Sequence, residues 1–148
     1  MSANQDAEVL GVTFGSTCEE TVQKLNKDYG TPKSQSADKL VYLNEMFEGF
    51  KADRVELGFQ DLQGTTKLNQ ARFYFVCPNK AAAIAKMKSL VKKMETRYSV
   101  SYDEEDGGTA FYKGGNSPLG IGCLFTIFVS PYQGKWTCQL RYGKFQFK

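Results

Sequence analysis

Apolar residues recur at Cys18, Val22, Leu25 and Tyr29, a spacing that lays one stripe along a helix. Thr17 stands where it can cap that helix, with Glu20 reaching back to complete a capping box, and Gly30 and Pro32 end it. The period then changes from helical to alternating. Residues 40–44 read as a strand, and Val55, Leu57 and Phe59 alternate with Arg54, Glu56 and Gln60, so one face of the next strand is buried and the other wet. Residues 70–76 form a third strand, with Ala71, Phe73 and Phe75 on one side. Asn79 caps a second helix whose apolar positions are Ile84, Met87, Val91, Met94 and Tyr98. Strands follow at about residues 99–103, 109–113, 123–130 and 136–145, with glycine-rich turns at 106–108, 114–116 and 132–134 between them.

The second half resembles the first. A shift of 69 residues, which takes Val22 to Val91, also takes Leu25 to Met94 and Tyr29 to Tyr98. It takes Tyr42 to Phe111, Phe59 to Phe128, and Gln70-Ala-Arg-Phe73 to Gln139-Leu-Arg-Tyr142. Helix falls on helix and strand on strand without a gap, as a duplication would give. The expected fold is therefore α+β: two αβββ-type repeats, residues 1–77 and 78–148, that together form one compact unit. Their strands form one curved antiparallel sheet with both helices packed on one face.

Composition narrows the chemistry. The chain has 148 residues, a net charge of +3, 41% hydrophobic and 24% charged residues, four cysteines and no histidine. These values suit a globular protein. The lack of histidine excludes histidine-based catalytic triads, histidine-ligated zinc and histidine pH switches within this chain. The charge is too small for a nucleic-acid footprint, and no apolar run is long enough to span a bilayer. The first eight residues are polar and lack the pattern of a signal peptide, so the protein is either cytoplasmic or exported with a leader removed.

Residues 11–25, Gly-Val-Thr-Phe-Gly-Ser-Thr-Cys-Glu-Glu-Thr-Val-Gln-Lys-Leu, closing on Tyr29-Gly-Thr-Pro32, resemble the opening of small outer-membrane assembly lipoproteins and of β-lactamase-inhibitor-protein-like domains. The resemblance covers the first helix motif specifically and the rest only as architecture. The second half departs from it, with Pro78-Asn79-Lys80 and Tyr98-Ser99-Val100 at the corresponding places. It implies an exported bacterial binding domain without catalytic activity, and inhibition of a β-lactamase does not carry over.

Little else points to catalysis. Cys18 opens a helix, where the dipole favours a thiolate, but no histidine serves as its base, and its place on the stripe suits a core thiol. The four cysteines allow three disulfide pairings or none. If Gln133-Gly134 is a two-residue turn, Lys135 faces Tyr132 and Cys138 faces Val129, not Cys123. The run Asp103-Glu-Glu-Asp106 lacks the ligand spacing of a calcium loop and reads as a solvated turn. No metal and no cofactor is expected.

Alternation points to a binding surface instead. Opposite the helices, the strands show Arg54, Glu56 and Gln60, then Gln70, Arg72 and Tyr74, then Gln139 and Arg141. Taking the repeat at face value adds Phe125, Ile127 and Val129 to that face. The 44–50 segment adds Met46, Phe47 and Phe50 at a hairpin tip, where aromatics can anchor a partner or equally fold back under the sheet. The expected function is a non-catalytic periplasmic or secreted module, monomeric or weakly dimeric. It would bind a protein or peptide through Phe47, Phe50, Arg54, Arg72, Tyr74, Phe125 and Arg141. The alternative is a carrier of a small apolar ligand between sheet and helices, which requires a cavity above roughly 300 Å³.

Overall fold

The computed structural model describes residues 7–104 and 110–148. The chain opens with a small hairpin, β1 (Glu8–Val9) and β2 (Val12–Thr13), which carries Val9, Val12 and Phe14 into the core. Strands of two residues have no readable period, so the hairpin is invisible to alternation. Helix α1 (Cys18–Tyr29) then begins as its sequence requires. The Thr17 hydroxyl accepts the Glu20 N–H at 3.1 Å and the Glu20 carboxylate accepts the Thr17 N–H at 2.8 Å. These bonds hold the Glu20 pKa below its usual value. At the other end the Gly30 N–H donates to Asn26.

Four strands follow, β3 (Ser34–Gln35), β4 (Lys39–Phe47), β5 (Phe50–Leu62) and β6 (Thr65–Cys77). Then come helix α2 (Lys80–Met94), capped by Asn79, and β7 (Val100–Glu104), β8 (Ala110–Gly114), β9 (Phe125–Tyr132) and β10 (Lys135–Gly143). All eight strands join one antiparallel sheet in the order β3-β4-β5-β6-β10-β9-β8-β7. Each half of the chain is thus a meander, and the two meet where β6 pairs with β10. The protein is α+β, with a large antiparallel sheet and two helices.

Directly paired residues share a sheet face, so single rungs reveal what each face carries. One rung runs Tyr42, Val55, Phe73, Leu140, Ile127, Tyr112 and Tyr102 across seven strands. It packs with Leu25 and Tyr29 of α1 and Leu90 and Met94 of α2 in one hydrophobic cluster, although Tyr102 at the β7 edge is exposed. This rung corrects the expectation for β9. Phe125 and Ile127 lie on the helix-covered face, opposite Tyr142 and Leu140, and are core residues.

The same geometry limits the 69-residue match. It holds for β6 and β10, where Arg72 and Arg141 share one face and Phe73 and Tyr142 the other. It slips in β8 and β9, because Tyr42 and Phe59 are core residues whereas Phe111 and Phe128 lie on the helix-free face. A slip of one residue is enough, since it exchanges the two faces of a strand.

Two local devices shape the ends of the sheet. In the β4–β5 hairpin, Tyr42 and Phe47 both face the core although five positions apart, as do Val55 and Ala52 on β5 although three positions apart. The alternation changes phase at Asn44, which adopts φ +57°, and opposite it at Asp53. The Asp53 carboxylate accepts the Val76 N–H at 2.7 Å, beyond the last β5–β6 pair. At the C-terminus, Gly143 has φ +82°, and a Cβ there would stand 2.3 Å from the Asn69 carbonyl oxygen. Glycine lets the chain close on Asn69, which accepts the Phe145 N–H and donates its side-chain N–H to the Phe145 carbonyl, each at 2.8 Å.

Candidate binding surface

The helix-free face is built from two neighbouring rungs. One carries Arg54, Tyr74, Gln139, Phe128, Phe111 and Asp103, and the next carries Val41, Glu56, Arg72, Arg141, Thr126, Lys113 and Ser101. Arg54, Arg72, Tyr74 and Arg141 therefore converge on one surface, as alternation implies for β5, β6 and β10. Phe111, Lys113, Thr126 and Phe128 also belong to it and were missed. The two-residue turn at Gln133 and Gly134 is the signal that finds the β9 pair, because it dictates the pairing of Lys135 with Tyr132 and Cys138 with Val129.

Glu56 organises the first-half side of the surface. Its Oε2 accepts the Arg54 Nε–H at 2.7 Å and its Oε1 accepts the Tyr74 hydroxyl at 3.2 Å. Tyr74 is only 3% exposed, stacks on Tyr132 with ring centroids 4.5 Å apart, and is also met by Arg72. Desolvation pushes its hydroxyl pKa up. This face is consequently a packed polar layer rather than a loose wet one.

Arg72 and Arg141 are direct cross-strand partners, an arrangement that repels unless something intervenes. The Arg141 guanidinium lies 5.3 Å from the centre of the Phe128 ring, a cation–π contact that leaves its charge uncompensated. Among the described residues neither arginine forms an ion pair with a carboxylate. Two neighbours on the same face hold buried oxygens without a partner, Gln139 Oε1 and Thr126 Oγ1. Gln139 donates its Nε2–H to the Thr137 hydroxyl at 3.0 Å, which fixes Oε1 as the free acceptor. Buried polar atoms without partners are uncommon, and two beside two unpaired cations mark the place where a ligand would gain most.

The three phenylalanines expected here lie elsewhere. Phe125, at 1% exposure, is in the core against Tyr98 and Tyr142. Phe47, at 4% exposure, packs on Phe73 with centroids 4.2 Å apart. Phe50 lies edge-on to Phe75 with Lys86 of α2 above its ring. Glu48 and Gly49 form a two-residue turn at φ +52° and +85°, and the phase change before it rolls both aromatics under the sheet. Tyr29 pins the tip by donating its hydroxyl to the Met46 carbonyl at 2.9 Å, and Arg97 pairs with Glu48. Among the large apolar side chains of the 44–50 segment, Met46 is the exposed one.

The cysteines are unpaired thiols. Burial and the neighbouring Glu19 raise the Cys18 pKa, the opposite of what activates a nucleophile. Asp103 pairs with Lys113 at 3.0 Å, whereas Glu105 to Gly108 of the acidic turn fall outside the described residues. A separate cleft of 690 Å³ opens between α2 and the β7–β10 side of the sheet, walled by Ile84, Met87, Tyr112, Val129 and Trp136. Neither helix is long and apolar enough to cross a membrane. No protein-family model matches the chain, and no curated protein and no solved structure matches it.

Proposed function

We propose that the chain is a non-catalytic binding module that takes a protein or peptide on its helix-free sheet face. Arg54, Arg72 and Arg141 make the contacts, Tyr74 lies buried beneath them, and Phe47, Phe50 and Phe125 serve as scaffold behind them. The observation that carries this reading is the opposed pair Arg72 and Arg141, neither of which forms an ion pair among the described residues. Arginine and tyrosine on a sheet already desolvated by its own packing are the residue types that dominate protein interfaces. The likeness of residues 11–32 to exported bacterial proteins supports a periplasmic or secreted setting. The meeting of two α-plus-meander halves at β6 and β10 supports a tandem duplication with one residue of slippage. We read the protein as a monomer or weak dimer.

The test is capture from the envelope fraction of the source cell with the purified chain as bait. The unaltered chain retains a partner that Arg54→Ala/Arg72→Ala loses, while Lys88→Ala, on the far side of the sheet, retains it. Equal capture by all three chains, with the double variant still folded by circular dichroism, overturns the reading.

A second reading rests on the 690 Å³ cleft beside α2, which exceeds the roughly 300 Å³ at which pockets accept whole small molecules. As a carrier the protein would hold an apolar ligand there, and displacement of an apolar fluorescent dye by that ligand would be abolished in Val129→Asp. Dye binding unchanged by that substitution removes this reading.

A further inference from the structure

At the end of the helix-free face, where β9 begins and β10 ends, the surface deepens into a cleft of 250 Å³. Arg141, Lys144 and Thr126 line it together with the apolar Leu119 and Ile121 of the β8–β9 connection. Three features set it apart from an ordinary crevice. The Thr126 Oγ1 is buried and has no partner, so its O–H is available to a ligand. Neither Arg141 nor Lys144 forms an ion pair among the described residues. Ile121 is 86% exposed and Leu119 46%, although their loop is well built: the buried Ser117 hydroxyl accepts the Leu119 N–H at 3.0 Å, and its backbone N–H donates to Gly122 at 3.0 Å.

We propose that this cleft captures the free C-terminal carboxylate of a partner chain that ends in an apolar residue. The inference rests on reading the helix-free face as a binding surface and names what that surface recognises at one end. Two cations and a hydroxyl donor call for a carboxylate, which accepts from all three. The apolar lining calls for a hydrocarbon group within one residue of it. The volume lies below the roughly 300 Å³ of pockets that hold whole small molecules, so it takes one residue rather than a long-chain amphiphile. A chain terminus is the unit that carries a carboxylate and an apolar side chain on the same residue, and its capture is an established mode of peptide recognition. The adjacent Arg72, paired across the strands with Arg141, raises the local positive potential and lies along the face where the rest of the partner would run.

The test uses a labelled hexapeptide pool with a terminal leucine, prepared once as the free acid and once as the C-terminal amide, with binding read by fluorescence anisotropy. The free acid binds at least about tenfold more tightly than the amide, the loss expected when a charge-assisted set of hydrogen bonds is removed. Arg141→Gln and Thr126→Val each bring the free acid down toward the amide, and Ile121→Ser weakens both forms. Thermal melts of the variants establish that they fold. Equal binding of acid and amide, no binding of either, or free-acid binding unaffected by Arg141→Gln overturns the proposal. If the envelope partner is lost on Arg54→Ala/Arg72→Ala yet retained by Arg141→Gln, the surface reading stands and the terminal-carboxylate pocket falls. If neither variant alters capture, both fall.

Discussion

Phe47 and Met46 are neighbours in the chain with opposite fates, and the difference is a matter of one backbone angle. Asn44 at φ +57° shifts the alternation by one place, so Phe47 enters the core and Met46 looks outward. A conformation with positive φ is uncommon outside glycine, and asparagine is among the residues that tolerate it. The sequence holds the tolerant residue but not the instruction to use it. Phe47→Ala should lower stability by about 3–5 kcal/mol, the usual cost of emptying an aromatic site in a core, whereas Met46→Ala should stay within about 0.5 kcal/mol. Urea denaturation of both variants decides between a scaffold and an anchor, because an exposed anchor at position 47 would cost little stability. Burial likewise explains Cys18: a residue read as the first member of an apolar stripe has a raised thiol pKa.

Elements whose code is local were legible. The α1 capping box forms as Thr17 and Glu20 require, and Asn79 caps α2 by accepting the Ala82 N–H at 2.8 Å. Thr17→Ala should cost about 1 kcal/mol, read from the midpoint of chemical denaturation, and the exposed change Lys24→Ala should cost much less. The β9–β10 hairpin obeys its Gln133-Gly134 turn residue for residue. Phe125 was misplaced because the ungapped repeat put it on the face of Arg54 and Arg72, whereas the turn already opposed Ile127 to Leu140. The turn prevails because it fixes register through the covalent chain, while the repeat is only a likeness of spacing. Elements too short for a period, β1, β2 and β3, left no trace in the pattern.

Across the whole molecule, the aromatic content resolves into a core whose buried tyrosines carry a pH signature. Burial pushes the Tyr42 hydroxyl and the Cys138 thiol each up to about 12, and raises Tyr29 and Tyr142 as well. Unfolded, these groups release their protons near 10.0 for tyrosine and 9.0 for cysteine. The folded protein therefore binds more protons than the unfolded chain between those values and about 12, and the contribution is present below pH 9 and lost as pH rises toward 12. Denaturation midpoints should hold steady up to about pH 9 and fall steeply beyond it. Tyr42→Phe should flatten part of that fall, and it costs no hydrogen bond, since the Tyr42 hydroxyl is buried without a partner. A midpoint that rises between pH 9 and 11 would contradict this. By itself the sequence determined the two helices and their N-caps, the facing of β5, β6 and β10, and, once Gln133-Gly134 is its turn, the register of the last hairpin, because each rests on contacts within a few residues or on strict alternation. Helix α2 nevertheless stops at Met94, short of Tyr98. Only the tertiary structure decided that β6 joins β10 and so brings Arg72 against Arg141, that the hairpin tip rolls inward, and that Thr126 lies beside the two arginines. These depend on pairings between residues far apart in the chain, where no local preference operates and the burial of one face selects the arrangement.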